Sequence, residues 1–267
     1  MANARPSLLL NGRAGWRAAE SAPTLDVTPD AIVLRPLPGS ARLLADVPGA
    51  TSMAVDRGGR IHLLDSAACT IRRFDPCTSQ FETLSHIGGE GSEPRRFRAP
   101  HGIAISPAGD LFVADTGNRR VQVFLLAGLA LREIRDLPDG EPWDVAVTSD
   151  CRLFVSDRAG GVIHQFDRAG HRLATLEGFE KPTAIAVDRQ DNLYVVQEGQ
   201  SAVIVVGRDG SRRAMTRLDH GSGAFLPSAI EGLEFDAANH PIIAAGGRLS
   251  LLDGPTSFET EGTFVSE

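Results

Sequence analysis

The stretch that decides the fold is PHGIAISPAGDLFVADTGNRRVQVF, residues 100–124. It contains three short runs of apolar or β-branched residues, at 103–105, 111–114 and 121–124, separated by two clusters of turn-forming residues. Gly, Pro, Asn and Asp between such runs indicate hairpins, because these residues tolerate or preset turn dihedrals. We therefore predict three antiparallel strands joined by tight turns.

The same unit recurs five times, which extends the local prediction to the whole architecture. Counted from the first residue of each first strand, the units begin at Met53, Ile103, Val145, Ile185 and Leu233. Ten positions later come Leu63, Val113, Val155, Val195 and Ile243. Eight positions after the start come Ile61, Leu111, Leu153, Leu193 and Pro241. Twenty-one positions after the start, the first four units have Phe74, Phe124, Phe166 and Val206. The fifth unit is two residues shorter here and has Leu252 nineteen positions after its start. Units that repeat every 40 to 50 residues are typical of propeller blades.

One position inside the first turn supports the same alignment. The sixth residue after each start is Gly59, Gly109, Cys151, Asp191 or Asn239. All but Cys151 are residues that adopt the left-handed region at low cost. The turn at Cys151 is therefore expected either to have another geometry or to be strained.

The predicted fold is an all-β propeller of four-stranded antiparallel blades, with six blades as the first choice and five as the alternative. The second strands are apolar on both faces, as expected for a sheet covered by neighbouring blades. Residues 1–46 fit the repeat poorly but contain strand-like pieces at 8–10, 31–34 and 42–45. They are predicted to form a divergent blade or outer strands that close the ring with the last unit. Residues 47–267 are predicted to hold the repeat blades of the same domain, in a chain that either closes its ring there or continues into a longer protein.

Composition narrows the choice of partners and compartment. The 267 residues carry a net charge of −7 and only 6% aromatic residues, which disfavours nucleic acid or an anionic membrane as a partner. Three cysteines, an odd and low number, fit a reducing compartment better than a disulfide scaffold. No apolar run approaches the roughly 20 residues of a membrane span, so we predict no membrane insertion.

Residues 100–104, 111–118 and 120–124 resemble the NHL repeat, and the linker 88–100 is similar to NHL linkers. The resemblance extends over about residues 50–253 and implies an NHL-type β-propeller. NHL propellers include protein- and RNA-binding modules, lyases and lactonase-like hydrolases, so this resemblance leaves the function open.

A narrower resemblance concerns segments between and around the repeats. They are LLLNGRAGWRAAE (8–20), LRPLPGSARLLADVPGAT (34–51), IRRFDPC (71–77), IGGEG (87–91) and GTFVSE (262–267). Together they look like NHL-containing bacterial proteins described as phage-tail proteins, which accompany contractile injection systems. This resemblance implies a non-enzymatic scaffold without a cofactor that binds sheath, tube, baseplate or cap subunits. It also implies a cytoplasmic location within an assembled particle.

Enzymes of this architecture work at one mouth of the central channel. Two residues before each unit start lie Thr51, His101, Trp143, Thr183 and Glu231, which we predict to line that mouth. A divalent metal site usually needs three or more converging ligands, and this ring has one histidine and one carboxylate, so no metal site is predicted. If the protein is a lyase or lactonase-like hydrolase, the candidates are His101 and Glu231, as an acid–base or ligand pair. A peptide- or RNA-binding module is the third possibility.

Two sets of charged residues receive structural interpretations. Asp65, Asp115 and Asp157 recur twelve positions into their units and are predicted to bond backbone amides two residues on. Paired arginines on a strand point to opposite faces, so they are expected to form salt bridges at edges and in loops rather than one basic patch. The most charged loop contains Glu90, Glu93, Arg95, Arg96 and Arg98 and is a candidate partner contact or a self-paired loop between blades.

Overall fold

The computed structural model describes residues 24–27, 31–35, 42–46, 50–56, 60–75, 78, 80–125, 130–134, 137, 140–200, 202–215, 232–235, 241–245 and 248–251. Within these residues the chain forms six antiparallel sheets, four with four strands and two with three. The predicted all-β fold with four-stranded antiparallel sheets is therefore confirmed. Predictions for Leu8–Leu10, Gly59, Asn239, Leu252 and Glu231 lie outside the described residues.

The four-stranded sheets follow the repeat units. The first comprises β4 (Ala50–Val55), β5 (Ile61–Asp65), β6 (Thr70–Asp75) and β7 (Gln80–Gly88). The second comprises β8 (Ile103–Ile105), β9 (Asp110–Asp115), β10 (Arg120–Leu125) and β11 (Ala130–Ile134), with a short 3-10 turn at Thr116–Asn118. The third comprises β12 (Pro142–Val147), β13 (Leu153–Asp157), β14 (Val162–Phe166) and β15 (Arg172–Leu176). The fourth comprises β16 (Pro182–Val187), β17 (Leu193–Gln197), β18 (Val203–Val206) and β19 (Arg212–Met215).

The two three-stranded sheets lie at the ends of the described chain. One comprises β1 (Thr24–Val27), β2 (Ala31–Arg35) and β3 (Arg42–Asp46), and the other comprises β20 (Gly232–Phe235), β21 (Pro241–Ala245) and β22 (Arg248–Leu251). The predicted strands at 31–34 and 42–45 are thus present, and β1 was not predicted. The division of the chain at residue 46 and the number of blades stay predictions.

Strand pairing confirms the alignment of the repeats. The start residue of each unit lies opposite the residue ten positions later in all five units: Met53 and Leu63, Ile103 and Val113, Val145 and Val155, Ile185 and Val195, Leu233 and Ile243. The residues at eight and twenty-one are likewise paired in four units, from Ile61 with Phe74 to Leu193 with Val206. Register in a sheet decides which face each side chain occupies, so the repeat in the sequence also predicts burial.

The first turn has one geometry in three units, including the one with cysteine. In each, the amide of the sixth residue donates to the carbonyl three residues earlier, at distances of 2.9 to 3.0 Å. The φ angles are 89° at Gly109, 65° at Cys151 and 63° at Asp191. Of the two alternatives for Cys151, the strained left-handed residue is therefore the correct one.

The core lies between successive sheets. Every residue of β9 is buried, because alternate side chains face opposite neighbours. Leu111 and Val113 pack towards β4–β7 with Phe97 and Phe124, whereas Phe112 and Ala114 pack towards β12–β15. The first strands β4, β8, β12, β16 and β20 contact one another in chain order. The sheets are therefore stacked face to face around their first strands, which sets the ends of these strands side by side.

Candidate functional site

The predicted channel-mouth residues differ in how far the structure describes them. His101 lies two residues before β8, and Trp143 and Thr183 are the second residues of β12 and β16; all three are half-buried. Thr51 lies in β4, but its side chain is outside the described set, as is the whole of Glu231. The structure therefore brings His101 and Trp143 together and leaves the predicted pairing of His101 with Glu231 a prediction.

Three flat groups from two successive sheets form a stack. The His101 and Trp143 rings lie 3.7 Å apart between centroids with an interplanar angle of 26°. The Arg158 guanidinium lies over the Trp143 ring, 4.6 Å from its centroid. Cation–π contacts of this kind contribute about 0.5–2 kcal/mol, depending on exposure. The stack therefore holds the half-buried Trp143 in a fixed orientation.

The close approach of the two first strands depends on a glycine. A Cβ atom at Gly102 would lie 2.7 Å from the Asp144 Cα and 3.0 Å from the Trp143 carbonyl oxygen. Any larger residue would push β8 away from β12 and separate the stacked rings. Gly102 is thus needed for the geometry of the neighbouring His101.

Hydrogen bonding fixes the proton on His101. The Thr116 hydroxyl donates to the Pro142 carbonyl at 2.5 Å and lies 3.0 Å from His101 Nδ1. Because the single hydroxyl proton is already donated, Nδ1 must carry the proton and donate to Thr116. Burial lowers the pKa of His101, and Arg158 lowers it further, against the opposing effects of the Ala99 carbonyl and Glu141. The imidazole is therefore neutral at pH 7.

Ion pairs continue from the stack onto the next sheet. Arg158 bonds Glu141 at 3.3 Å and Glu198 at 2.9 Å, and Glu198 also meets Lys181 at 3.3 Å. Hydrogen bonds from Lys181 and Arg158 lower the pKa of Glu198 below its ordinary value. We call His101, Glu141, Trp143, Arg158, Lys181 and Glu198 the mouth face.

Most of the mouth face was not predicted, although the repeat contained a signal for it. Ser66, Thr116, Arg158 and Glu198 all lie thirteen positions into their units. The hydroxyls of Ser66 and Thr116 donate to the carbonyls of Pro100 and Pro142, each three residues before the start of the next unit. This position therefore contacts the neighbouring sheet in each case, and the opposite charges of Arg158 and Glu198 in successive units predict a bridge.

A second candidate contact is the linker loop 89–98. Glu90, Glu93, Arg95, Arg96 and Arg98 are all exposed, as a partner contact requires. Arg96 and Glu93 approach to 3.9 Å in an exposed pair, which contributes at most about 1 kcal/mol. The loop is thus partly self-paired and still presents charges of both signs to solvent.

Arg120 anchors this loop from inside the protein. Its side chain is fully buried, with 0% exposure. Nε donates to Asp115 at 2.7 Å, and one terminal nitrogen donates to Glu133 at 2.8 Å. The other terminal nitrogen donates to the carbonyls of Glu93 and Arg96, each at 2.9 Å. The expectation that the paired arginines lie at edges and in loops is wrong for Arg120, because the loop folds over β10 and covers it.

Gln122 and Phe97 complete the attachment of the loop. Gln122 donates to the Arg96 carbonyl at 2.7 Å and accepts from the Arg95 amide at 2.8 Å. Phe97 is fully buried and meets Phe124 edge to face, at 6.0 Å and 84°. These contacts hold the backbone of the linker loop in place, and the exposed charged side chains of the loop are attached to this fixed backbone.

The recurring aspartates are structural, as predicted, but they bond at a different spacing. Asp65 and Asp157 accept from the amides of Ala68 and Gly160, both three residues on and both at 2.8 Å. The prediction of two residues is wrong because the carboxylate bridges a helix-like turn, as an N-cap does. Asp115 instead accepts from the Arg98 amide at 2.8 Å.

Two further findings concern the described residues as a whole. No three His, Cys, Asp or Glu side chains among them are grouped closely enough to hold a metal ion. No helix in the described part of the chain is long and apolar enough to cross a membrane.

Comparison with known proteins finds one NHL repeat in the chain and several NHL-containing relatives. The NHL repeat family matches residues 97–124. Human E3 ubiquitin-protein ligase TRIM32 is 29% identical over 164 residues, 55% of this chain and 23% of the ligase. Human NHL repeat-containing protein 3 is 34% identical over 70 residues, 26% of this chain and 20% of that protein. The chain thus spans about a quarter or less of the length of these curated relatives.

The fold extends beyond the matched repeat. A streptogramin B lyase structure superposes with a TM-score of 0.66 at 14% identity, covering 92% of this chain and 96% of the lyase. Identity this low shows a common fold and nothing about activity. The chain is therefore an all-β propeller that contains an NHL repeat at residues 97–124.

Proposed function

We propose that the chain is a non-enzymatic propeller that binds a protein partner through the mouth face. The observation that carries the proposal is the stack of His101, Trp143 and Arg158 across two successive sheets. Trp and Arg are the residues most enriched at the energetic centres of protein interfaces. Here both are held in place before any partner arrives, which lowers the entropy cost of binding.

The charges around the stack favour a protein over a nucleic acid. Glu141 and Glu198 flank Arg158, so the cation next to the aromatic ring is neutralised on both sides. A phosphate backbone would be repelled by these carboxylates, whereas a protein surface with charges of both signs can match them. Relatives of this chain include a ubiquitin-protein ligase, a class of enzyme that acts on proteins, which supports the same partner class.

The finer proposal concerns the assembly. The segments at 8–20, 34–51, 71–77, 87–91 and 262–267 are those that look like phage-tail proteins of contractile injection systems. We therefore propose sheath, tube, baseplate or cap subunits of such a particle as the partner, and the cytoplasm as the place of assembly. The linker loop 89–98 would provide a second contact beside the mouth face.

The test is binding of the purified chain to each purified class of subunit, measured by light scattering after size exclusion and by calorimetry. We expect a stable complex with one class, weakened at least 30-fold by Trp143→Ala, as for a hot-spot residue worth about 2 kcal/mol. Phe81→Ala removes an exposed aromatic ring, 37% accessible, from a different sheet and is the control.

Two results would contradict the proposal. One is the absence of a complex with any of the four subunit classes. The other is an equal loss of affinity in the Trp143 and Phe81 variants. A divalent metal found by elemental analysis and lost in His101→Ala would favour a lyase or lactonase-like enzyme instead.

A further inference from the structure

A groove of about 510 Å³ opens in the sheet β12–β15. The residues that line this groove include Asp157, Gly160, Val162, His164, Thr175 and Glu177. Asp157 and His164 are buried, whereas Thr175 and Glu177 are exposed at the rim. The groove therefore combines a buried carboxylate with an open entrance.

Strand pairing shows which residues of the preceding sheet occupy the same places. Asp115 lies opposite Arg120, and Asp157 lies opposite Val162 in the same way. Val162 thus stands where the preceding sheet has its buried arginine. In the sheet β8–β11, Arg120 lies at the centre of a polar cluster with Asp115 and Glu133. The sheet β12–β15 has no arginine at this position.

The remaining positions differ in the same direction. Gln122 pairs with Glu133, and its counterpart His164 pairs with Thr175, so a carboxylate is replaced by a short hydroxyl side chain. Asn118, three residues after Asp115, corresponds to Gly160, three residues after Asp157. Each change removes side-chain volume from the region that the groove occupies.

The linker that leads into the sheet β12–β15 is also shorter than the linker that leads into β8–β11. Residues 89–102 lead from β7 to β8 and fold over Arg120, whereas only residues 135–141 lead from β11 to β12. Gly140 and Glu141 of the shorter linker contact the Asp157 carboxylate, and the groove lies where the guanidinium of Arg120 lies in the preceding sheet.

The carboxylate in the groove has lost the donors that its counterpart has. Asp115 Oδ2 accepts from Arg120, Gln122 and Asn118 at 2.7 to 2.9 Å. The counterpart of Gln122, His164, has its Nε2 3.7 Å from Asp157 Oδ2, which is too far for a hydrogen bond. This oxygen can therefore accept strong hydrogen bonds from an incoming cation.

Asp157 is nevertheless charged. Burial raises the pKa of Asp157, but the interaction with His164 and the amides of Glu141 and Gly160 outweigh burial and lower it overall. Glu177 adds a second carboxylate at the rim, and Arg172 on β15 adds one cation there.

We propose that this groove binds the guanidinium group of an arginine side chain presented by a protein partner. Asp157 takes the role that Asp115 has towards Arg120, and Glu177 provides the outer carboxylate. A planar guanidinium suits the site because it donates several hydrogen bonds in fixed directions. The inference rests on the proposed function only in that a protein supplies the arginine.

The probe is N-acetyl-arginine amide, and its neutral analogue N-acetyl-citrulline amide is the control. Nuclear magnetic resonance of the amide-labelled full chain reports shifts at Gly160 and Gly161. We expect saturable shifts with the arginine probe and no saturable shifts with the citrulline probe. Absence of shifts, or equal shifts with both probes, would overturn the proposal.

Two variants use the preceding sheet as a template. Thr175→Glu supplies the counterpart of Glu133 at an exposed position and is expected to tighten arginine binding at least threefold. Val162→Arg supplies the counterpart of Arg120 and is expected to abolish probe binding, whereas Ala108→Arg, which adds the same charge in an exposed turn, is expected to leave it intact. Unchanged affinity in Thr175→Glu would overturn the proposal even if Val162→Arg fails to fold.

The failure of this inference differs from failure of the proposed function. A partner complex sensitive to Trp143→Ala, together with no response to the arginine probe, contradicts only the groove. A response to the probe without any subunit complex contradicts only the proposed function.

Discussion

Replacing Arg120 with methionine should destabilise the protein strongly and release the linker loop. Methionine keeps most of the aliphatic volume but removes every donor of the guanidinium. Asp115 would keep the Asn118, Gln122 and Arg98 bonds, yet it would be a fully buried carboxylate without a counter-charge. The carbonyl of Glu93 would lose the Arg120 bond and keep only the Arg96 amide, at 3.1 Å.

The expected cost follows from these contacts. Breaking a buried ion pair by removing one partner costs about 3–5 kcal/mol, because the other charge stays buried. At roughly 2–4 °C per kcal/mol for a domain of this size, the melting temperature should fall by about 6–20 °C. The loss should exceed that of an ordinary surface substitution, about 0.5 kcal/mol, several times over.

Urea denaturation followed by circular dichroism measures the global effect, and amide hydrogen exchange at Arg95 and Phe97 reports on the loop. The adjacent Arg119→Met makes the same chemical change at an exposed residue and should cost less than about 1 kcal/mol. A cost for Arg120→Met below about 1 kcal/mol, or unchanged exchange in the loop, would refute the role assigned to the buried arginine.

Three further predictions concern backbone strain, pH and close packing. Cys151→Gly should raise the free energy of unfolding by about 0.5–1 kcal/mol in urea titrations. Glycine removes the strain of the positive φ, and this gain exceeds the cost of the additional backbone entropy of glycine in the unfolded chain. Cys151→Ala keeps the strain and should bring no gain. Burial lowers the pKa of His62 to about 4. Between about pH 4 and pH 6.5 the unfolded chain therefore binds a proton that the folded chain does not bind. The free energy of unfolding should fall by about 2 kcal/mol from pH 7 to pH 5, and His62→Gln should remove that difference. Gly102→Ala should cost about 1–3 kcal/mol and change Trp143 fluorescence, because the new methyl group would clash with Asp144; retained stability and emission would contradict the close packing of β8 on β12.

The sequence repeat predicted the fold because strand register and hydrophobic burial are local properties. Val113 and Val155 occupy the same position in their units, and each pairs with the start of its own unit as expected. Turn chemistry was predictable for the same reason, although at Cys151 the sequence left strain and another turn geometry as alternatives. Each of these features depends on residues within one unit.

The polar contacts were harder to predict because they join different units. Arg120 resembles a surface arginine until the linker loop folds over it, and a loop of this kind has no periodic pattern. The stack of His101 on Trp143 needs two sheets at a fixed distance, which Gly102 allows. His101 was predicted as a channel residue, but its use in a stack depends on this tertiary packing.

The central claim, that the mouth face holds a protein partner, is tested most directly by cryo-electron microscopy of the contractile particle assembled with this chain. The account predicts propeller density attached to a sheath, tube, baseplate or cap subunit, with Trp143 and Arg158 at the contact. Particles that carry no propeller, or that hold it by the turns at 148–152 and 188–192 at the opposite ends of the first strands, would contradict it.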